Sequence, residues 1–152
     1  GEVGEYRALR RELYELAGRI NGEHADVDWT PLRFLTRTVS RATLAGYLRA
    51  ARVGLVTPLR DGMNLVAKEY VAAQNPADPG ALVLSRFAGA ALELPDALLL
   101  NPYDPDEIAE ALHAALTMDA AERTARWVRM NAAVSGNTAA GWARRFLGDR
   151  DA

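Results

Sequence analysis

Residues 59–70 read LRDGMNLVAKEY. Arg60, Asp61 and Asn64 crowd one turn, and Lys68 and Glu69 follow one to two helical turns later. The turn follows an apolar run, VGLVTPL at 53–59, and leads into an amphipathic helix from about Asn64 to Ala73. A turn from a strand into a helix can bind anions. The first amides of a helix have no partner inside it, and the helix dipole adds positive potential at that end. Here those amides belong to Met63, Asn64, Leu65 and Val66, a set suited to a pyrophosphate. Gly62 can take a positive φ and lets a ligand approach the backbone. Asp61 offers a carboxylate to a sugar hydroxyl, and Glu69 can accept two hydrogen bonds from a ribose diol. The same residues also read as an ordinary Asp-Gly turn with Asn64 as N-cap and Lys68 and Glu69 in solvent, for the turn lacks a full glycine-rich fingerprint. Lys68 is the only lysine in the chain. Either chance left it there, or the position needs an ammonium on a flexible stem.

The elements that must hold this turn follow from periodicity. Tyr6, Leu9, Leu13, Leu16 and Ile20 recur at helical spacing, predicting a helix with one core-facing stripe that stops at Asn21-Gly22. LRFLTRTV at 32–39 reads as a strand, and Ser40 caps a helix to about Ala51. Residues 53–59 read as a strand buried on both faces, 81–85 as the next, and 97–100 as a fourth, with a helical turn near 89–94. Asp104 caps a helix with Pro105 at its first position, running to about Thr117. Asp119 starts another, to about Asn131, and a last helix covers roughly 138–147. Alternating strands and helices predict an α/β fold: a parallel sheet of about four strands with helices on both faces and a helical tail. Four strands are few for a complete doubly wound sheet. With Gly1 in place of Met, the chain reads as a piece cut from something longer.

The bulk numbers exclude several classes. The 152 residues are 49% hydrophobic and 25% charged, with a net charge of -2. That predicts no attraction to nucleic acid or to an acidic membrane. No cysteine is present, so there is no disulfide framework and no thiolate metal site. No apolar run approaches the roughly 20 residues that span a bilayer. A cytoplasmic location is compatible with these features. His24 and His113 lie far apart without metal-ligand spacing. Ser85 and Ser135 lack a glycine elbow. Trp127 and Trp142 read as packing, and Arg123, Arg126 and Arg129 as a solvated helix face.

The blocks GRINGEH, DWTPLRFL, VGLVTPLRDGMNLVAKEYVAAQNPADPGALVLSRFAGAALELPDALLLNPYD and ALTM occur in order. Together they resemble the trehalose-6-phosphate synthase family, retaining glycosyltransferases of family 20 with the GT-B fold of two Rossmann-like domains. The resemblance covers almost the whole chain. It implies transfer of glucose from UDP-glucose to glucose 6-phosphate, giving α,α-trehalose 6-phosphate and UDP, with no cofactor. It makes Asp61 the residue that touches the transferred glucose. It puts the backbone of Gly62, Met63, Asn64 and Leu65 along the sugar and phosphates, the Leu65 and Val66 amides at the pyrophosphate, and Glu69 at the ribose. Ala67 falls within the same donor-binding run. Main chain around Val39 would face the uracil, where the family commonly has an aromatic residue. Lys68 matches the motif's lysine, whose role the motif does not state. By the resemblance, residues 1–152 are an incomplete C-terminal donor-binding domain with a tail from about 119. The family's phosphate-clamping arginine and lysine and its acceptor domain would lie upstream. The fragment alone is therefore expected to be inactive, and the parent could be a homo-oligomer. Two other classes remain open: a non-catalytic nucleotide-sugar-binding or regulatory module, and a structural half that pairs with another chain. Preference among UDP, GDP and ADP is not legible.

Overall fold

The computed structural model describes residues 2–137. The helix expected at 138–147, with Trp142, lies outside the described residues. The chain divides into two compact units, Gly1–Val39 and Ser40–Ala152.

The first unit is helix α1, Glu2–His24, followed by irregular chain. Asn21-Gly22 does not end α1 as expected; the helix continues to His24. Asn21 instead serves the following segment. Its side chain donates to the Leu32 carbonyl at 3.0 Å and accepts from the Leu32 amide at 2.9 Å. Residues 32–39 form no strand, contrary to the expectation. A strand needs a neighbouring ladder, whereas Leu32 has its backbone groups satisfied by a side chain and Phe34 packs edge-on to Tyr14 at 5.2 Å. The stripe on α1 is not core either: Tyr6, Leu9, Leu13 and Leu16 are all exposed.

The second unit contains α2 (Arg41–Ala50), β1 (Val53–Val56), α3 (Leu65–Ala73), β2 (Ala81–Ser85), a 3-10 helix (Gly89–Leu92), β3 (Leu98–Leu100), α4 (Pro105–Thr117) and α5 (Ala120–Gly136). Capping is as the sequence predicts. Ser40 accepts from the Thr43 amide, Asp104 from Asp106 and Glu107, and Asp119 from Glu122. α5 outruns its expected end because nothing in NAAVSG breaks a helix before Gly136.

The sheet has the order β1-β2-β3, all parallel, with Val53 beside Ala81 and Ser85 beside Leu100. Among the described residues it has three strands rather than the expected four, because residues 32–39 form none. β2 is central and buried throughout. β1 was expected to be buried on both faces, yet among the described residues it pairs with β2 alone, and Leu55 is 45% exposed. Alternate residues feed two cores. Leu82, Leu84 and Val56 meet Tyr70, Val71, Trp127 and Met130 of α3 and α5. Val53, Ala81, Val83 and Leu100 meet Ile108, Ala111 and Ala115 of α4. Helices therefore cover both faces, as expected. Each fully buried leucine contributes about 1.5–3 kcal/mol.

Tyr70 sets how close α3 comes to β1. Its ring lies where a Cβ on Gly54 would stand, at 2.7 Å, and its hydroxyl donates to the Ala51 carbonyl at 3.1 Å. Arg123, Arg126 and Arg129 do not form one solvated face: Arg129 is exposed as expected, but Arg126 is half-buried and Arg123 buried. Arg123 is 7% exposed and donates to the carbonyls of Pro79 and Met118 and to Asp78. Arg126 binds Glu122 and the Asp96 carbonyl, and Arg129 binds the Asp96 carboxylate. Spacing along a helix does not show that the loops at 78–79 and 96 present acceptors to it. No helix among the described residues is long and apolar enough to cross a membrane.

Candidate functional site

Because the strands are parallel, the segments that follow them meet at one edge. The turn 57–64 leaves β1, residues 86–88 leave β2, and 101–104 leave β3. The open crevice at the carboxyl ends of such strands is where parallel sheets bind ligands. The turn is held by its neighbour. Asp61 donates its amide to the Phe87 carbonyl at 3.3 Å, and its own carbonyl accepts from the Gly89 amide at 2.9 Å. The Met63 carbonyl accepts from the Ala90 amide at 2.6 Å. A Cβ on Gly89 would collide with the Gly62 carbonyl, so the two backbones meet this closely only because residue 89 is glycine.

Within the turn, Asp61 accepts from the Met63 amide at 3.1 Å through one oxygen and from the Asn64 side chain at 2.9 Å through the other. The Met63 amide, then the Asn64 side chain, hold the Asp61 carboxyl below the ordinary carboxylate range, because both stabilise the charged form. Asp61 is thus an ionised acceptor with a fixed orientation. Asn64 caps α3 by accepting from the Ala67 amide at 2.9 Å.

The positive φ expected at Gly62 falls on Asn64 instead, with φ 70° and ψ 91°. Asparagine tolerates this region better than most residues, and here the twist lets one side chain cap the helix and hold Asp61. Gly62 keeps negative φ and has nothing within 4 Å of where its Cβ would be, which leaves open space over its backbone.

Of the four amides expected to be free, that of Met63 is committed to Asp61, and that of Asn64 adds a smaller stabilisation of the same carboxylate's charge. The amides of Leu65 and Val66, the first two residues of α3, donate to nothing among the described residues. Both residues are more than half or about half exposed, at 59% and 50%. Ala67 does not line the opening: it is fully buried and its amide belongs to Asn64. Glu69 is exposed and has no hydrogen bond or ion pair among the described residues. Lys68 turns to Glu93, at 2.7 Å. Val39 belongs to the first unit, in irregular chain just before Ser40.

Gly89 and Glu93 were not singled out as individual residues from the sequence, although both stand in the stretch FAGAALEL. The signal was Gly89, a glycine four residues past a buried strand; it lies beside the turn that follows the preceding strand, β1. A cavity of about 340 Å³ lies at the opposite edge of the sheet, lined by Arg49, Arg52 and Asp78 among others, away from the turn. No group of acidic and histidine residues among those described could hold a metal ion.

Parallel strands, helices on both faces and a helix N-terminus opening at the carboxyl edge define a Rossmann-like α/β domain. The profile of Glycosyltransferase family 20 matches residues 1–151, and the chain belongs to that family. It is 55% identical to the trehalose-6-phosphate synthase of Sinorhizobium fredii, over 97% of this chain and 32% of that protein. An E. coli structure bound with UDP-2-fluoro glucose superimposes with a TM-score of 0.91 at 54% identity, over 95% of this chain and 32% of the other. A UDP-forming alpha,alpha-trehalose-phosphate synthase of Burkholderia xenovorans, in complex with glucose-6-phosphate, gives 0.92 at 51% identity, over 97% and 32%. The chain spans about a third of the length of these relatives.

Proposed function

We propose that this chain carries the donor-sugar half of an enzyme that transfers glucose from UDP-glucose to glucose 6-phosphate. The products are trehalose 6-phosphate and UDP. The observation that carries the reading is the pair of uncommitted amides on Leu65 and Val66 beside a fixed, ionised Asp61. Donors already oriented toward a diphosphate lower the barrier as negative charge builds on departing UDP, with no reorganisation at that moment. Asp61 accepts from hydroxyls of the donor glucose. A depressed carboxyl is a weak base, so its task is to hold and to stabilise positive charge at the sugar rather than to relay a proton. Open space over Gly62 and the exposed Met63 take the sugar and phosphates, and the unpartnered Glu69 takes the ribose diol. Main chain near Val39 is assigned to the uracil. Two relatives support the substrates: one structure was solved with a UDP-sugar analogue and another, UDP-forming by name, with glucose-6-phosphate. The same reading puts the protein in the cytoplasm.

The test grafts this chain in place of the matching third of the Sinorhizobium fredii relative and measures trehalose 6-phosphate formation. Glu69→Ala removes a charged acceptor remote from the breaking bond. It is expected to raise the donor KM by about thirtyfold, the equivalent of about 2 kcal/mol, with kcat little changed. Asp61→Ala is expected to act mainly on kcat. A donor KM unchanged by Glu69→Ala refutes the ribose assignment, and a kcat unchanged by Asp61→Ala refutes the glucose contact.

A further inference from the structure

Lys68 lies one residue before Glu69, yet its ammonium turns away from the open turn to Glu93, 2.7 Å off, at the C-cap of the 3-10 helix. Its side chain is 20% exposed and that of Glu93 37%. The second Glu93 oxygen accepts from the Asn137 side chain at 3.0 Å, next to the end of α5. The 3-10 helix is the same element whose first amides, Gly89 and Ala90, donate to the carbonyls of Asp61 and Met63. The contacts therefore form a closed ring. The turn 61–64 leads into α3, Lys68 on α3 reaches Glu93, and the 3-10 helix returns to the turn. Without the ion pair, α3 and the 3-10 helix would meet only through the turn itself and apolar packing. An ammonium suits this link, being a compact charge on a stem flexible enough to cross from one helix to the other.

We propose that Lys68 is a positioning residue for the donor site. Its ion pair with Glu93 closes the ring that fixes Asp61 and the Leu65 and Val66 amides in place. The role in binding rests on the donor reading above; the mechanical role does not.

The experiment uses the graft described above, which carries the other two thirds of the relative. Amide exchange is followed by NMR at Met63, Gly89 and Ala90, and UDP-glucose is titrated by chemical shift. In Lys68→Met, protection at those three amides is expected to fall by about tenfold while the β2 amides of Val83 and Leu84 keep theirs, and UDP-glucose is expected to bind about three- to tenfold more weakly. The reversed pair, Lys68→Glu with Glu93→Lys, is expected to restore both, which a loss of general stability would not predict. If Lys68→Met does not fold, Glu93→Gln gives the same two readouts while keeping a side-chain acceptor for Asn137. Unchanged protection at Met63, Gly89 and Ala90 overturns the ring, whatever happens to binding. Lost protection with unchanged UDP-glucose affinity overturns the positioning role. No response of the unmodified graft to UDP-glucose overturns the donor reading, and the positioning role with it, while the exchange data still judge the ring.

Discussion

Alanine is normally a better residue than glycine inside a helix, by about 1 kcal/mol. At position 64 the order should reverse. Asn64 carries a positive φ, caps α3 through the Ala67 amide and donates to Asp61. Asn64→Gly loses the side-chain bonds but accepts the backbone angle. Replacing such a cap by glycine costs about a few tenths of a kcal/mol. Asn64→Ala loses the same bonds, about 1 kcal/mol or more, and also puts a Cβ in the left-handed region, about 1–2 kcal/mol further. Alanine should therefore be the less stable of the two by about 1 kcal/mol or more, or about 2–4 °C in Tm for a chain of this size. Urea unfolding followed by tryptophan fluorescence reads this, since Trp127 is packed in the core against α3, donating to the Val71 carbonyl at 3.0 Å. In both variants the Asp61 carboxyl loses a donor that stabilises its charge, so its titration, followed by NMR, should move up toward the ordinary range. If Asn64→Ala equals or exceeds Asn64→Gly in stability, the backbone argument fails, and with it the account of how Asp61 is held.

Burial pushes the Tyr70 hydroxyl up to about 12 from an ordinary 10. Its stability contribution is therefore whole below pH 10 and lost as pH rises toward 12, by about 2–3 kcal/mol; Tyr70→Phe should flatten that alkaline slope, and an unchanged slope in pH-dependent denaturation refutes the assignment. Gly89→Ala should disturb the turn, because its methyl group meets the Gly62 carbonyl; UDP-glucose affinity that survives this change would show that the two backbones need not touch. Arg123→Ala strands the carbonyls of Pro79 and Met118 and should cost about 2–4 kcal/mol in urea unfolding; a loss under 1 kcal/mol, near the surface-pair range, would restore the solvated reading.

Local chemistry in the sequence determined the caps, the helix starts and the alternation that yields a parallel sheet. Ser40, Asn64, Asp104 and Asp119 each cap the helix expected of them, because capping involves only residues two or three apart. The site was legible to the same degree: a helix start after an apolar strand implies uncommitted amides whatever the rest of the fold. Four matters needed the tertiary structure. Residues 32–39 have strand-like composition, but a strand exists only where another chain segment completes its ladder. The arginines of α5 look solvated along the helix, yet Arg123 and Arg126 are held by loops 44 and 30 residues away. The positive φ moved from Gly62 to Asn64 because contacts with Phe87, Gly89 and Ala90 set the turn's path. Lys68 could be noticed in the sequence as a lone lysine, yet its partner Glu93 lies 25 residues on. Only the packing of α3 beside the 3-10 helix brings the two charges together, since ion pairing depends on distance in space and not along the chain.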